Sequence, residues 1–418
     1  MNDVDPGRRF SRRPEDLSVV LLEGIHTTAV EALRRAGYAH IHEYPKALEG
    51  DALLEAVRGA HFLGIRSRSR LSEEILAGAP YLRAIGCFCI GTNQVDLSAA
   101  RQRGIPVFNA PFSNTRSVAE LVLAESVMLL RDIPAKNASA HRGGWQKSAS
   151  GAFEVRGKHL GIVGYGHIGS QVGILAEALG MRVFYHDVTA QLSLGNATSM
   201  PTLRSLLETA DVVTLHVPGA PDTVNLIGAD EIAQMRDGAA LINASRGNVV
   251  DIEALAAALE AGRLGGAALD VFPVEPKSNK DAFESPLRKF DNVILTPHVG
   301  GSTEEAQESI GVEVADKLVR YQANGSTLSA VNFPEVSLPI HRGTYRLLHV
   351  HRNQPGVLAQ IHRIFSERGI NIAGEYLQTD DVLGYVVIDF DISAEFDTAR
   401  LDQLKRIDGT LSARITQR

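Results

Sequence analysis

The chain is short of several things at once. Its 418 residues include two cysteines and one tryptophan, and aromatic residues make up 6% of it. Two cysteines cannot supply the disulfide framework of a small secreted domain. Cys87 and Cys89 lie two apart in an apolar stretch, without the C-x-x-C spacing of a redox pair. They are expected on one side of a strand, as buried small hydrophobes in a reducing compartment. The single Trp145 is expected to pack rather than react. Positive charge is not in excess. A formal net charge of −7 gives no basic footprint for nucleic acid or an acidic membrane surface. Long apolar runs are missing too. The longest helical one, Val118–Leu130, contains Glu120 and Glu125 and is too short and too charged to span a bilayer. It reads as a buried or interface helix. Residues up to Arg13 are polar and basic with no apolar segment, so a loose tail is expected there and a signal peptide is not. No metal is expected.

Glycine, by contrast, is placed with a pattern. The run Gly164-Tyr165-Gly166-His167-Ile168-Gly169 has the spacing G-x-G-x-x-G and directly follows the apolar stretch Leu160–Val163. A helical run, Gln171–Leu179, and a second apolar stretch, Met181–Tyr185, come next, and Asp187 closes the unit. Strand, glycine turn, helix, strand and terminal acid make one mononucleotide-binding unit. Its glycines let backbone N–H groups approach a pyrophosphate at a helix N-terminus. Asp187 can accept hydrogen bonds from a ribose 2′-hydroxyl and would repel a 2′-phosphate, which selects NAD over NADP. The motif alone occurs in other α/β proteins; its flanks and the acid carry the reading.

Residues 17–110 alternate apolar strand runs (Val19–Leu22, His61–Ile65, Leu82–Cys87, Pro106–Phe108) with helical ones, a parallel α/β unit. A second such unit extends to about residue 300, with strands expected at Val212–His216, Ala239–Asn243, Gly266–Asp270 and Val293–Thr296. The helix Thr303–Asn324 is expected to return to the first unit, which has no other closing helix. Residues 325–342 read as a linker by composition. The last stretch shows a β-α-β-β-α-β order, the ferredoxin-like arrangement. The fold class expected is therefore α/β, with two Rossmann-like parallel-sheet domains and a C-terminal ferredoxin-like α+β domain. The boundaries are 14–112 with 303–332 for the first domain, 113–302 for the nucleotide domain and 343–418 for the tail.

The later strands of the nucleotide unit end in polar residues, at the carboxyl edge where such sheets bind ligands. His216 and Asp270 are also expected in the cofactor set, with Gly164, Gly166, His167, Ile168, Gly169 and Asp187. Three further residues suit the oxidation of a secondary alcohol. Arg246, in Asn243-Ala244-Ser245-Arg246-Gly247, can fork onto a carboxylate. Glu275 sits in a loop stiffened by Pro273 and Pro276. His298, in Thr296-Pro297-His298-Val299-Gly300, titrates near neutrality. Singly, each would pass for a surface or structural residue. Together they give a base (His298), a carboxylate that tunes it (Glu275) and a cation for the substrate carboxylate (Arg246), as a 2-hydroxy acid requires. In the first unit, Arg66-Ser67-Arg68 follows a strand and suits a phosphate or a second carboxylate, or else a basic surface turn. Asn114 precedes the long helix and is suited to capping it.

With these segments on the page, the chain resembles the D-isomer-specific 2-hydroxyacid dehydrogenases over nearly all its length. The most specific stretches are Arg66-Ser67-Arg68, Ala84 to Asp96, Asn109 to Glu120 and the segments around Arg246, Glu275 and His298. The resemblance implies a substrate domain, an NAD domain and a hinge between them, with NAD as cofactor and D-3-phosphoglycerate as substrate. It assigns Arg246, Glu275 and His298 the roles above, and Arg66, Ser67, Arg68 and Asn114 to the substrate. The tail resembles an ACT domain. There the resemblance implies an L-serine effector site at His351, Asn353 and Asn371, with Arg352 standing where an acidic residue is usual. A cytoplasmic homotetramer, with no nucleic-acid or membrane partner, completes the expectation. Two alternatives remain at this level. One is another 2-hydroxy or 2-oxo acid, such as 2-oxoglutarate; the other is a non-enzymatic NAD-sensing corepressor.

Overall fold

The computed structural model describes residues 13–276, 280–339, 344–391 and 398–417. The expected loose N-terminal tail therefore lies outside the described residues, apart from its last one, as does the end of the expected linker at 340–342. The chain forms two compact units, one comprising the part through Pro111 together with Gln307 onward, the other Phe112–Ala306.

The first unit opens with a five-stranded parallel sheet, β1 (Ser18–Leu21), β2 (His40–Glu43), β3 (Phe62–Ile65), β4 (Ala84–Cys87) and β5 (Val107–Asn109), in the order β2-β1-β3-β4-β5. The central strands β3 and β4 are buried at every position, as a sheet covered on both faces requires. One face packs on Leu33, Val314 and Leu318, the other on Leu53, Leu76 and Ala100. Val314 and Leu318 belong to the helix Glu304–Asn324, which closes this sheet as expected. β2 escaped the sequence reading. Its residues His-Ile-His-Glu are mostly exposed, and it pairs only with β1. A polar edge strand leaves no apolar alternation to detect. Cys89 needs a correction as well. The strand ends at Cys87, and Cys89 is half-buried in the following loop, its Sγ 3.2 Å from the Gly91 carbonyl.

The second unit is built on a seven-stranded parallel sheet. Its strands are β6 (His159–Val163), β7 (Arg182–His186), β8 (Thr198–Ser199), β9 (Val212–Leu215), β10 (Ala240–Asn243), β11 (Gly266–Leu269) and β12 (Val293–Leu295). The order is β12-β11-β10-β9-β6-β7-β8. The chain runs outward from β6 on one side and restarts at β9 on the other, so the topological switch point lies between β6 and β9. The helix Thr115–Leu130 covers one face through Val118, Val122 and Leu129. The helices Ile133–His141 and Ala229–Gln234 were not anticipated; both are short, and the first holds only one buried residue. Trp145 does not pack as expected: it is 88% exposed.

The tail forms a four-stranded antiparallel sheet, β13 (Thr344–Arg352), β14 (Ile372–Thr379), β15 (Leu383–Asp391) and β16 (Thr410–Gln417), in the order β14-β15-β13-β16. This is the ferredoxin-like arrangement, with the helices Val357–Ser366 and Thr398–Lys405 on one face. The segment read as a linker is largely buried. Phe333, Val336 and Leu338 cover the other sheet face, against Leu348, Val350, Tyr385 and Val387. Thr327 donates to the Pro334 carbonyl and Tyr385 to the Gly325 carbonyl. Arg346 and Asp389 form a buried two-pronged ion pair at 2.6 and 2.8 Å, and Arg346 also donates to the carbonyls of Asn324 and Pro339. Proline and small polar residues gave this strap a linker's composition, while Phe333, Val336 and Leu338 near its end are apolar and buried.

Candidate active site

The functional candidates of the second unit all follow strands of one parallel sheet: Gly164 after β6, Asp187 after β7, His216 after β9, Arg246 after β10, Glu275 after β11 and His298 after β12. Their side chains are therefore presented at one edge.

The dinucleotide turn fits its expected ligand. Gly164 holds φ +88°, and a Cβ there would lie 2.6 Å from the His216 carbonyl oxygen, so only glycine is accommodated. Gly166 caps the helix His167–Ala178, and a Cβ on it would meet nothing within 4 Å. That helix start is open to a pyrophosphate, with its N–H groups and partial positive charge exposed. His167 and Ile168 form its first turn, and the His167 ring lies 3.8 Å from that of Phe112. Asp187 Oδ2 accepts from Tyr165 N at 2.8 Å, and Oδ1 accepts from the Thr189 amide and hydroxyl at 2.9 Å. Burial works against its charge, but these bonds outweigh it and hold the carboxyl below its usual range. Three of its lone pairs are used, which leaves room for a ribose hydroxyl. His216 is neutral, because burial pushes its imidazole down to about 3. Its Nε2 meets Thr214 Oγ1 at 2.9 Å, while Nδ1 is enclosed with no partner. An orphaned ring nitrogen beside the glycine turn is what a missing ligand group would satisfy.

His298 Nδ1 lies 3.1 and 3.0 Å from the two carboxylate oxygens of Glu275. That bond, with the Glu275 and Asp270 charges, raises the imidazole above its ordinary value, against burial and the nearby Arg246 charge. Burial of Glu275 resists its ionisation, but the His298 contact, the Phe272 amide and Arg246 together bring its carboxyl down. The pair is thus a carboxylate and an imidazole whose Nε2 remains for a substrate hydroxyl. His298 itself sits at φ +56°, a left-handed conformation that a non-glycine residue adopts at some cost.

Asp270 accounts for that conformation. It is 3% exposed, and its carboxylate accepts the Thr296 hydroxyl at 2.6 Å and the Val299 and Gly300 amides at 2.8 Å. Expected as a cofactor ligand, it is seen straddling the turn that carries His298. Behind it, Glu125 is 1% exposed and its Oε1 has no partner; burial, then the Asp270 charge, pushes its carboxyl up to about 8. Arg246 is half-buried after β10, with Nη1 on the Ser245 carbonyl at 2.7 Å. Asn243, missed by the sequence reading, folds this loop. It accepts from the Ser245 amide and hydroxyl and donates to the Arg246 carbonyl. Asn114 does occupy the cap position of the helix Thr115–Leu130, but its side chain makes no capping bond. It is buried, with Oδ1 unpartnered.

In the first unit, Arg66, Ser67 and Arg68 follow β3 on a turn whose arginine side chains are half-buried and exposed, respectively. In the tail, His351 is buried, its Nδ1 3.3 Å from that of His349, and burial lowers its imidazole. Asn353 donates to the Asp380 carbonyl at 2.6 Å, and Asn371 is exposed just before β14. Among the described residues, no cluster of His, Cys, Asp or Glu could hold a metal ion, and no helix is long and apolar enough to cross a membrane.

Comparison with known proteins agrees with this chemistry. The D-isomer specific 2-hydroxyacid dehydrogenase NAD binding domain matches residues 123–300, and the AHAS small subunit-like ACT domain matches residues 347–412. A D-3-phosphoglycerate dehydrogenase of Haemophilus influenzae is 60% identical over 96% of this chain and 97% of its own. That of Escherichia coli K12 is 58% identical over 97% and 99%. Among solved structures, the D-lactate dehydrogenase of Aquifex aeolicus, complexed with NAD and lactic acid, is 28% identical with a TM-score of 0.65. It covers 76% of this chain, and the match spans 100% of its own. With relatives this similar along nearly its whole length, the chain belongs to the D-isomer specific 2-hydroxyacid dehydrogenase family, among the D-3-phosphoglycerate dehydrogenases.

Proposed function

We propose that this protein oxidises D-3-phosphoglycerate to 3-phosphohydroxypyruvate with NAD, the step that commits carbon to L-serine. The observation that carries the chemistry is the His298–Glu275 contact. With Nδ1 held by the carboxylate, Nε2 of the neutral imidazole takes the proton of the substrate hydroxyl. Glu275 then stabilises the imidazolium that forms. Arg246 anchors the substrate carboxylate beside the reacting carbon and polarises the developing carbonyl. NAD, when bound, supplies the hydride acceptor; Gly164, Gly166, His167, Ile168, Gly169, Asp187 and His216 are the residues that hold it. Asp270 acts by fixing the His298 turn. Arg66, Ser67 and Arg68 take the phosphate, with Asn114 completing the substrate contacts.

In this reading residues 14–112 and 303–332 serve the substrate and 113–302 the cofactor. Residues 343–418 sense L-serine through His351, Asn353 and Asn371. The protein works as a cytoplasmic homotetramer. One set of steady-state measurements tests the proposal. Turnover of 3-phosphoglycerate is compared with that of glycerate, lactate and 2-hydroxyglutarate, with and without L-serine, for wild type and His298→Ala. The expected result is a strong preference for the phosphorylated substrate, inhibition by serine, and loss of about 10²–10⁴-fold in kcat for the variant with NADH binding retained. Equal use of glycerate refutes the phosphate assignment, and a fully active variant refutes the base.

A further inference from the structure

The arginine turn of the first unit is held by an acid that the sequence reading passed over. Glu23 lies just beyond β1 with φ +66°, a left-handed conformation that points its side chain along the carboxyl edge of the sheet. Its Oε1 accepts the Arg66 and Ser69 amides at 3.2 and 2.8 Å, and Oε2 accepts the Arg68 amide at 3.0 Å. Three N–H groups converging from one short turn form a concavity of the kind that binds anions. Here the chain's own carboxylate fills it. A second clamp works from the other side. Gln94, 4% exposed, donates to the Arg66 carbonyl at 2.7 Å, and the same Nε2 reaches the Gly91 carbonyl at 3.0 Å and Cys89 Sγ at 3.3 Å. The turns after β1, β3 and β4 are thereby tied into one piece.

We infer that Glu23 is a positioning residue for recognition of the substrate's distal anion, setting the backbone from which Arg66 and Arg68 extend, with Gln94 as its second clamp. This rests on the reading that those arginines bind that anion. Glu23 takes the amides of Arg66, Arg68 and Ser69, so those three are turned away from the anion, which is met by the guanidinium groups and Ser67. Arginine suits this arrangement because its planar fork has to be aimed, and aim comes from the backbone beneath it. A glutamine at position 23 keeps the shape but turns an NH₂ group toward an N–H, donor against donor.

The experiment measures kcat and KM for 3-phosphoglycerate and for glycerate in wild type, Glu23→Gln, Gln94→Leu and the Arg66→Ala/Arg68→Ala double variant. Glu23→Gln is expected to raise KM for 3-phosphoglycerate by about tenfold or more while kcat changes little, with glycerate use falling far less. Gln94→Leu moves the same ratio in the same direction. Equal losses on both substrates, or no loss, overturn the inference. Should the double-arginine variant keep the wild-type ratio, the underlying phosphate reading fails instead, and the two failures are thereby told apart. If Glu23→Gln does not fold, as read from its thermal transition, Glu23→Asp and Gln94→Leu carry the same test.

Discussion

Replacing Gly247 by alanine tests whether the loop of Arg246 and the loop of Glu275 work as one rigid constellation. A Cβ at Gly247 would lie 2.6 Å from Pro273 N and nearer still to the Phe272 carbonyl carbon and oxygen. These are backbone atoms of the turn that leads to Glu275, so no side chain can swing aside. Restoring ordinary contact, from 2.6 to about 3.4 Å at Pro273 N alone, takes roughly 0.8 Å of displacement, and more at Phe272. Misplacement of about 1 Å in an active site costs on the order of 10²-fold in rate, which is about 2.7 kcal/mol of transition-state stabilisation. Overpacking of this kind also lowers stability by about 1–3 kcal/mol. The assay is kcat/KM for 3-phosphoglycerate by NADH formation, beside NADH binding and the thermal transition. Gly59→Ala, where a Cβ would meet nothing within 4 Å, serves as control. A folded Gly247→Ala protein with wild-type kcat/KM would refute the idea that close approach of the two loops sets Arg246 against the base.

Glu275→Gln removes the first cause of the raised His298 value. Oxidation needs neutral imidazole, so it grows as pH rises through the His298 value; in the variant that limb moves to lower pH, measured as kcat/KM against pH, and an unmoved limb contradicts the pairing. Asp187→Ala should weaken discrimination against NADP, read as the ratio of kcat/KM for the two cofactors. In the tail, Arg346→Ala withdraws the guanidinium from a carboxylate of 0% exposure and should cost about 3–5 kcal/mol in denaturant unfolding. A cost within the range of an exposed pair would mean that water reaches Asp389.

The sequence made the parallel units legible because buried strands are continuous apolar runs and glycine marks the first turn. It missed β2 and β8, short edge strands of mostly polar residues, and the helix Ile133–His141, whose single buried residue leaves no apolar period. It misread 325–342 because composition records proline and small polar residues but not the sheet face beneath them, which Phe333, Val336 and Leu338 cover. At the site, residue type and position after a strand were enough to select Arg246, Glu275 and His298. The roles of Glu23 and Gln94 were invisible, since their bonds run to backbone atoms of other loops, while Asn243 bonds only within its own turn, to Ser245 and Arg246.

That last distinction follows a physical pattern. At the carboxyl edge of both parallel sheets, acids are used less for display than for holding turns. Glu23 takes the amides of Arg66, Arg68 and Ser69; Asp187 those of Tyr165 and Thr189; Asp270 those of Val299 and Gly300; Glu275 that of Phe272. Loops leaving parallel strands carry amides that no ladder satisfies, and a carboxylate satisfies two or three at once with charge-assisted bonds. The negative charges so fixed also raise His298 and define where a cation must be placed, which is where Arg246 lies. An acid at a strand end therefore has two readings in sequence, ligand or strap. Lone-pair counts do not separate them, since Asp187 and Asp270 each spend three on protein donors; exposure does, Asp270 being buried behind a turn held at positive φ while Asp187 is half-buried and Glu275 exposed, open to a hydroxyl or an imidazole.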